Sequence, residues 1–307
     1  MIFTCCHPAI SSDSQVALAL KTLCGFSIPE IAKAFLTTEE NINKRLVRAR
    51  EKIRTNKIPF DVPQGKELEK RVAAVIETIY LLFNEGYSAS KGNDIVRYEL
   101  CEEAIRLAQI LEEHQAIQNK SDVYAILALM QLNASRFKSR QDSDGNLLTM
   151  AEQDRSLWDL QLITQGIANL ERSANYGLVS VYNIMAAISA SHSQSPDFES
   201  TDWQNILFLY DTLLQIDKSP VILLNRAIAL SKVNGPEAAL NELEQIKNIP
   251  SIKSYYLFHS AKAELLMQLN EYEDAISCLE TAIQLAALQA EKDLLQRRIN
   301  LCKEKIS

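Results

Sequence analysis

Apolar residues recur every three to four positions along most of this chain, which is the spacing of amphipathic helices. The strongest example covers residues 67–83, where one side of the expected helix carries Val72, Val75, Ile76, Ile79, Tyr80 and Phe83. Gly86 follows this segment and is expected to end the helix as a left-handed C-cap. Because only 8 Gly and 8 Pro occur among 307 residues, few positions interrupt helices. The pattern therefore predicts an all-α fold.

The same periodicity predicts further helices in the middle of the chain. They cover residues 94–114, 121–133, 151–171, 177–191 and 203–216. Asn93 or Asp94 is the expected cap of the first of them. Residues 135–149 form the longest irregular stretch, in which an Asp-rich turn is expected at 142–145.

Near the C-terminus the pattern repeats, because residues 225–246 and 261–282 align at an offset of 36 residues. The matched pairs are Ala227 with Ala263, Leu230 with Leu266, Asn234 with Asn270, Ala239 with Ala275, Leu240 with Ile276, and Leu243 with Leu279. Small residues where two helices approach, joined by a short turn, are typical of tetratricopeptide-like repeats. Since about three repeats are needed for stability, the helices before residue 217 are expected to complete the stack.

A different pattern occurs near the N-terminus, where residues 25–54 predict a helix-turn-helix. The first helix, 28–35, has Ser27 as its N-cap and a proline in its first turn. After a turn at residues 36–37, Thr38 is expected to cap a second helix. That helix is expected to bury Ile42, Leu46, Ala49 and Ile53.

The opposite side of the second helix carries polar and basic residues that suit the DNA major groove. Five side chains are expected to approach base edges or nearby phosphates: Thr38, Asn41, Asn43, Lys44 and Arg45. Three further cations are expected to act mainly as electrostatic anchors on phosphates: Arg48, Lys52 and Arg54. The alternative is an ordinary helical hairpin whose basic side is merely solvated.

These patterns predict four segments along the chain. Residues 1–57 form the DNA-binding domain, 58–66 a linker with prolines and a glycine, 67–218 a helical middle domain, and 219–307 the repeats. The formal net charge of −7 excludes a protein that coats nucleic acid along its whole length. A basic segment at 44–57 on an acidic chain instead favours docking by one domain.

Composition offers little chemistry and no membrane anchor. No apolar run approaches the ~20 residues of a membrane span, and the N-terminus does not have the pattern of a signal peptide, so a cytoplasmic protein without a membrane partner is expected. The six cysteines show no CxxC pairing, and the adjacent Cys5 and Cys6 would chelate one ion poorly. The Asp142 turn lacks the glutamate that a calcium loop needs, since Gln153 stands there. We therefore expect no metal, no cofactor and no enzymatic activity.

The sequences of several motifs resemble those of a known family. Residues 25–54, GFSIPEIAKAFLTTEENINKRLVRAREKIR, resemble region 4 of bacterial sigma factors of the extracytoplasmic-function group, although Leu36 stands where that family often has Gly. The segments TCCHP at 4–8, LLFNEGYSAS at 81–90 and DSDGNLLTMAEQDRSLWD at 142–159 resemble a subgroup with a large C-terminal tetratricopeptide-like extension.

This resemblance implies a function in transcription initiation. Region 4 would recognise a −35 promoter element and contact the flap of the RNA polymerase core. The extension would regulate it in cis, with a regulatory protein or ligand as a possible partner of the helical body. No segment resembling region 2, which opens promoters, is recognised in the chain, so it is not expected to initiate transcription alone. The second hypothesis is a helical-repeat protein-interaction module with a structural, non-DNA-binding basic hairpin.

Two further segments have open interpretations. The sequence NEGY at 84–87 is either a helix C-cap with Tyr87 packed on the body or a contact surface for region 4 or the polymerase. Glu152, Asp154 and Arg155, beside Trp158, are expected to form an ionic latch that ties the preceding loop to the helical body.

Overall fold

The computed structural model describes residues 2–59, 61, 63–89 and 95–306 and confirms the all-α prediction of a helix-turn-helix domain and a helical body. Within these residues no β-strand occurs, and one isolated bridge joins Gln141 to Leu147. The α-helices are α1 (Ile2–Cys5), α2 (Ser12–Thr22), α3 (Ile28–Ala34), α4 (Glu39–Thr55), α5 (Lys66–Tyr87), α6 (Tyr98–Glu113), α7 (Ser121–Ala134), α8 (Leu160–Ala174), α9 (Val181–Gln194), α10 (Trp203–Ile216), α11 (Pro220–Asn234), α12 (Pro236–Ile246), α13 (Pro250–Lys253), α14 (Tyr256–Gln268), α15 (Tyr272–Leu285) and α16 (Gln289–Ile306).

The chain divides into two compact units. The first comprises Met1–Ala134 and Thr164–Leu178, and the second comprises Ser135–Ile163 and Val179–Ser307. The helix-turn-helix therefore belongs to the same unit as α5, α6 and α7. The four segments predicted from the sequence remain a prediction, and the expected cap at Asn93 or Asp94 lies outside the described residues.

The helix α5 corrects one prediction, because Gly86 does not end it. The helix continues to Tyr87, and Gly86 lies inside its last turn. A Cβ at Gly86 would lie 2.7 Å from Cys101 Sγ and 2.9 Å from the Cys101 backbone nitrogen. The glycine is therefore explained by the close approach of α5 and α6, and not by a left-handed cap. Tyr87 stacks on Phe83, with ring centroids 5.8 Å apart.

The helix predicted at 151–171 is also wrong at its start, because α8 begins only at Leu160. Acidic side chains cap other turns before it. Glu152 accepts hydrogen bonds from the backbone and hydroxyl of Thr149, and Asp154 caps a short 3₁₀ helix at Arg155–Leu157. Asp159 then accepts bonds from the first backbone N–H groups of α8. These local bonds compete with helix formation, and this explains the shift.

The Asp-rich turn lies where the sequence predicts it. Asp142 accepts hydrogen bonds from the backbone N–H groups of Asp144 and Asn146, at 3.0 and 2.8 Å, and from the Asn146 amide. These bonds hold the pKa of the Asp142 carboxyl below its usual value. The carboxylate therefore serves the turn itself.

The repeats predicted at the C-terminus appear as two helix pairs, α11 with α12 and α14 with α15. Equivalent helices begin 36 residues apart, and three of the matched pairs share the same deep burial. Those at most 1% exposed are Ala227 and Ala263, Ala239 and Ala275, and Leu243 and Leu279. The turns differ, since the left-handed residue is Gly235 in the first pair and Asn270 in the second. Assignment of these pairs to the tetratricopeptide class stays a prediction.

Candidate DNA-binding surface

The first helix of the motif, α3, is held by a capping box. The Ser27 hydroxyl accepts a hydrogen bond from the Glu30 backbone, and the Glu30 carboxylate accepts one from the Ser27 backbone at 2.5 Å. Both bonds satisfy N–H groups that a helix start otherwise leaves unpaired. Ile31 and Ala32 are buried beneath it, whereas Ile28 and Phe35 are only partly buried.

The turn between α3 and α4 passes through Leu36, whose φ is +48°. This left-handed conformation is strained for a residue with a Cβ. The turn nevertheless closes, because the backbone N–H groups of Leu36 and Thr37 donate to the carbonyls of Lys33 and Ala32. The sharp turn brings α4 across α2 and α3, against which it packs.

The second helix, α4, buries one side and exposes the other. Ile42, Leu46 and Ala49 are at most 3% exposed, while Ile53 is partly buried. Its exposed side is rich in charge, since α4 has six cationic and three acidic side chains. The spacing that buries the apolar residues therefore places the polar ones outward.

Two predicted reading residues take part in the helix start. Thr38 caps α4 by accepting a hydrogen bond from the Asn41 backbone at 3.3 Å. The Asn41 side-chain amide donates to the Thr37 hydroxyl at 3.1 Å. Both side chains remain exposed, so each keeps capacity for further hydrogen bonds.

Arg45 differs from the free side chain expected, because it is already engaged within the domain. Its guanidinium lies 3.0 Å from the Asp13 carboxylate and 5.3 Å from the centre of the Phe35 ring. The Nη1 atom of Arg45 is buried and has no hydrogen-bond partner. Arg45 thus ties α4 to the start of α2, and only its remaining donors can serve a ligand.

The other five predicted residues are exposed. Lys44 pairs with Glu40 at 2.6 Å, one turn earlier, in a contact open to solvent. The side chains of the remaining four make no hydrogen bond or ion pair with any described residue: Asn43, Arg48, Lys52 and Arg54. Free cations on an exposed helix face are what phosphate contacts require.

The structure shows that this surface also includes two carboxylates and one valine. These three residues were not among the site residues predicted from the sequence. A shallow concavity on the outward side of α4 is lined by Glu40, Asn43, Lys44, Val47, Arg48 and Glu51. These positions follow the helical repeat, so the pattern of exposed residues could have identified them.

A second depression adjoins the start of α2. Asp13 lines it from α2, and Arg45, Arg48 and Lys52 line it from α4. Arg48 therefore borders both depressions and lies centrally on the outward side of the helix.

The helix-turn-helix rests on α5, which packs against α1, α2 and α3. Arg97, at the start of α6, connects the helix-turn-helix to α5. Its guanidinium lies 3.5 Å from Glu30 in α3 and 3.9 Å from the buried Glu85 in α5. Arg97 therefore links Glu85, in the NEGY segment, to the helix-turn-helix, and both interpretations of that segment stay predictions.

The cysteines near the N-terminus are buried thiols. Burial, reinforced by the neighbouring Cys5, raises the pKa of Cys6 to about 12. Burial likewise raises the pKa of Cys24 to about 11. In the part of the chain that the structure describes, His, Cys, Asp and Glu side chains nowhere gather in a group of three able to hold a metal ion. Within the same residues, no helix combines the length and apolar character that crossing a bilayer needs.

Comparisons with known proteins match the helix-turn-helix region and a longer segment that begins in α5. The family model described as sigma-70, region 4, matches residues 1–53, and a family of unknown function (DUF6596) matches residues 71–174. An uncharacterized protein of Rhizobium meliloti (strain 1021) is 36% identical over 300 residues, which cover 98% of this chain and 70% of that protein. No solved structure matches the chain.

Proposed function

Because the chain belongs to the extracytoplasmic-function type of sigma factor, with region 4 followed by a C-terminal extension, we propose that α4 reads a −35 promoter element. Region 4 carries a sigma-factor-like role in binding DNA and RNA polymerase. The promoter element and the polymerase flap are the specific partners that we assign to it.

The observation that carries this proposal is the outward side of α4. Arg48, Lys52 and Arg54 are exposed cations that no described residue neutralises, and Asn43 is a free amide beside them. An amide can bond base edges, and cations can neutralise phosphates. A merely structural hairpin would gain nothing from leaving these three charges unpaired on one helix.

We also propose that the C-terminal extension regulates region 4 in cis. Support comes from Arg97, which joins Glu30 of the helix-turn-helix to Glu85 of α5. Because α5 lies beneath α2 and α3, a shift of α5 would move the platform on which α4 rests. A regulatory protein or ligand that binds the helical body would act through this platform.

The test is selection of DNA by the full chain from a random duplex library, followed by fluorescence anisotropy on the selected site. We expect a recurring motif, in which a wrong base at a position held by a bidentate contact costs ~1–3 kcal/mol. The Arg48→Ala, Lys52→Ala double variant should bind more weakly and flatten the log–log salt slope by about 1.8 if each cation contacts one phosphate.

The matched control is Lys218→Ala, which removes an exposed cation from the helical body. It should bind the selected DNA like the wild type. Failure to select any motif, or unchanged binding by the double variant, would overturn the promoter proposal. The helical-repeat interaction module would then be the better hypothesis.

Binding to the polymerase is tested separately by co-purification of the full chain with bacterial core RNA polymerase. A complex that the isolated flap segment competes away supports the assigned contact. A complex insensitive to the flap segment would contradict it.

A further inference from the structure

One side chain on the outward side of α4 is uncharged and takes no part in the electrostatic contacts proposed for that surface. Val47 is 52% exposed, and it is the only exposed large hydrophobic residue of α4, a helix that the structure describes throughout. It lies in the concavity between Asn43, one turn before it, and Glu51, one turn after it. The valine therefore forms an apolar spot in a polar surface.

Neither helix propensity nor burial favours valine at this position. Its branched side chain restricts χ1 and has a lower helix propensity than lysine, glutamate or alanine. Its exposure also forgoes the free energy that burying an aliphatic side chain supplies. Neither local helix formation nor packing within the domain explains it.

The surroundings of Val47 indicate what could cover it. Lys44 and Arg48 flank it on the same side of the helix, and Arg54 and Lys52 follow toward the C-terminus. These four cations outnumber the two carboxylates of the concavity, Glu40 and Glu51, so this side of the helix would attract a polyanion and hold it by its phosphates. In the major groove of that polyanion, the apolar group available to a side chain is the C5-methyl of thymine.

We propose that Val47 is a specificity-determining residue that contacts the methyl group of one thymine in the bound DNA. The inference rests on the proposed function and assigns a base type to one position of the site. Val47 buries its exposed methyl groups against the thymine methyl, while the flanking cations contact the backbone. The carboxylate of Glu40, which pairs with Lys44, forms one wall of the same concavity.

The experiment uses the full chain and the selected DNA site, with each thymine replaced in turn by deoxyuridine, which lacks the methyl group. For the wild type, one replacement should weaken binding about fourfold, the expected effect of losing one buried methyl group. For Val47→Ala, the same replacement should change binding by less than about twofold, because the apolar partner is gone. This coupling should occur at one thymine and at no other.

The matched control is Leu301→Ala, which trims an equally exposed aliphatic side chain, 52% exposed, on α16. It should retain the wild-type response to every replacement. Circular dichroism should show that Val47→Ala keeps the wild-type helix content, since the side chain is exposed.

The outcomes separate this inference from the proposed function. If the wild type selects no DNA, the proposed function fails, and the inference fails with it. If DNA binds but no thymine couples to Val47, or the selected site contains no thymine, only the inference is overturned. A Val47→Ala variant that loses core polymerase binding without any thymine coupling would overturn it as well and assign the residue to the polymerase.

Discussion

Three cations of α4 and several arginines of the second unit are in opposite situations. On α4, Arg48, Lys52 and Arg54 extend into solvent without a partner among the described residues. In the second unit, Arg155 donates to the carbonyls of His192 and Ser195, at 2.7 and 2.6 Å, and lies over the ring of Trp158 at 4.7 Å. Other body arginines are engaged in the same way. Arg226 pairs with Asp211 and Glu242, Arg297 donates to the Leu147 carbonyl, and Arg298 pairs with Glu264.

This difference distinguishes cations that are available to a ligand from cations that stabilise the fold. A guanidinium whose donors are already used for backbone carbonyls and carboxylates orders a loop, and it has little left for a ligand. A guanidinium that no described residue neutralises contributes little to stability, because exposed charges are well solvated.

Arg155→Ala should destabilise the second unit by about 3 kcal/mol, because two charge-assisted hydrogen bonds and the contact with Trp158 are lost. Both tryptophans of the chain, Trp158 and Trp203, belong to this unit, so urea unfolding followed by tryptophan fluorescence reports on it selectively. Lys218→Ala is the control in the same unit.

The corresponding change on α4 should have almost no effect on stability. Arg48→Ala should alter the protection of α2, α3 and α4 in amide hydrogen exchange by less than about 0.5 kcal/mol. A loss as large as that of Arg155→Ala would mean that α4 uses this cation for folding, and the contrast would disappear.

Lowering the pH should weaken the second unit through His192. Burial, with the charges of Arg136 and Arg155, lowers the pKa of His192 to about 4. The unfolded chain, with an ordinary histidine pKa of ~6.5, then binds more protons, so stability is complete above that pH and falls as the pH drops toward 4. The loss should approach roughly 2–3 kcal/mol.

The measurement compares tryptophan-detected unfolding at pH 7 and pH 4 for the wild type and for His192→Phe. The phenylalanine keeps a ring against Trp203, which the histidine contacts edge-on at 5.3 Å, and it cannot titrate. The variant should lose much less stability over this interval. An equal loss in both proteins would assign the pH dependence to other groups.

Arg97→Ala should loosen the helix-turn-helix from α5 at a cost of about 1 kcal/mol, since the Arg97 side chain is 33% exposed and its contacts with Glu30 and the buried Glu85 are long, at 3.5 and 3.9 Å. We expect faster amide exchange in α3 than in α7, which holds none of the ion-pair partners of Arg97. If exchange rises equally throughout the first unit, Arg97 supports the fold in general and does not connect these two parts.

Apart from Arg48→Ala, the smallest change in stability is expected at the turn before α4. Leu36→Gly should stabilise the first unit by about 0.5–1 kcal/mol, because glycine adopts the left-handed conformation without strain. Leu36 is 45% exposed, so little apolar burial is lost. Thermal unfolding followed by circular dichroism measures the change, and Thr37→Gly, at a neighbouring position without positive φ, should destabilise instead.

Most of the candidate site could be predicted from residue spacing because it is local in sequence. The N-caps at Ser27 and Thr38 and the buried side of α4 follow from interactions within four residues, which a sequence shows directly. Arg45 could not be predicted in the same way. Its partner Asp13 lies on another helix, and nothing in the local pattern distinguishes it from Arg48.

The two incorrect helix ends have the same explanation. From the sequence alone Gly86 resembles a C-cap, but in the fold it lies where α6 packs closely against α5. The acidic residues at 152–159 are compatible with a helix start, but in the fold their carboxylates accept hydrogen bonds in turns that precede α8. In both places, a distant or competing contact overrode a local preference.

The sequence alone determined the all-α fold, the helix-turn-helix, the 36-residue spacing of the paired helices and the family, because helical periodicity, caps and motifs are written in neighbouring residues. Only the tertiary structure decided which cations are free and which are used, as the pairing of Arg45 with Asp13 shows. The physical reason is that a charge is neutralised by whatever the folded chain brings within a few ångströms, and that neighbour is usually far away in sequence.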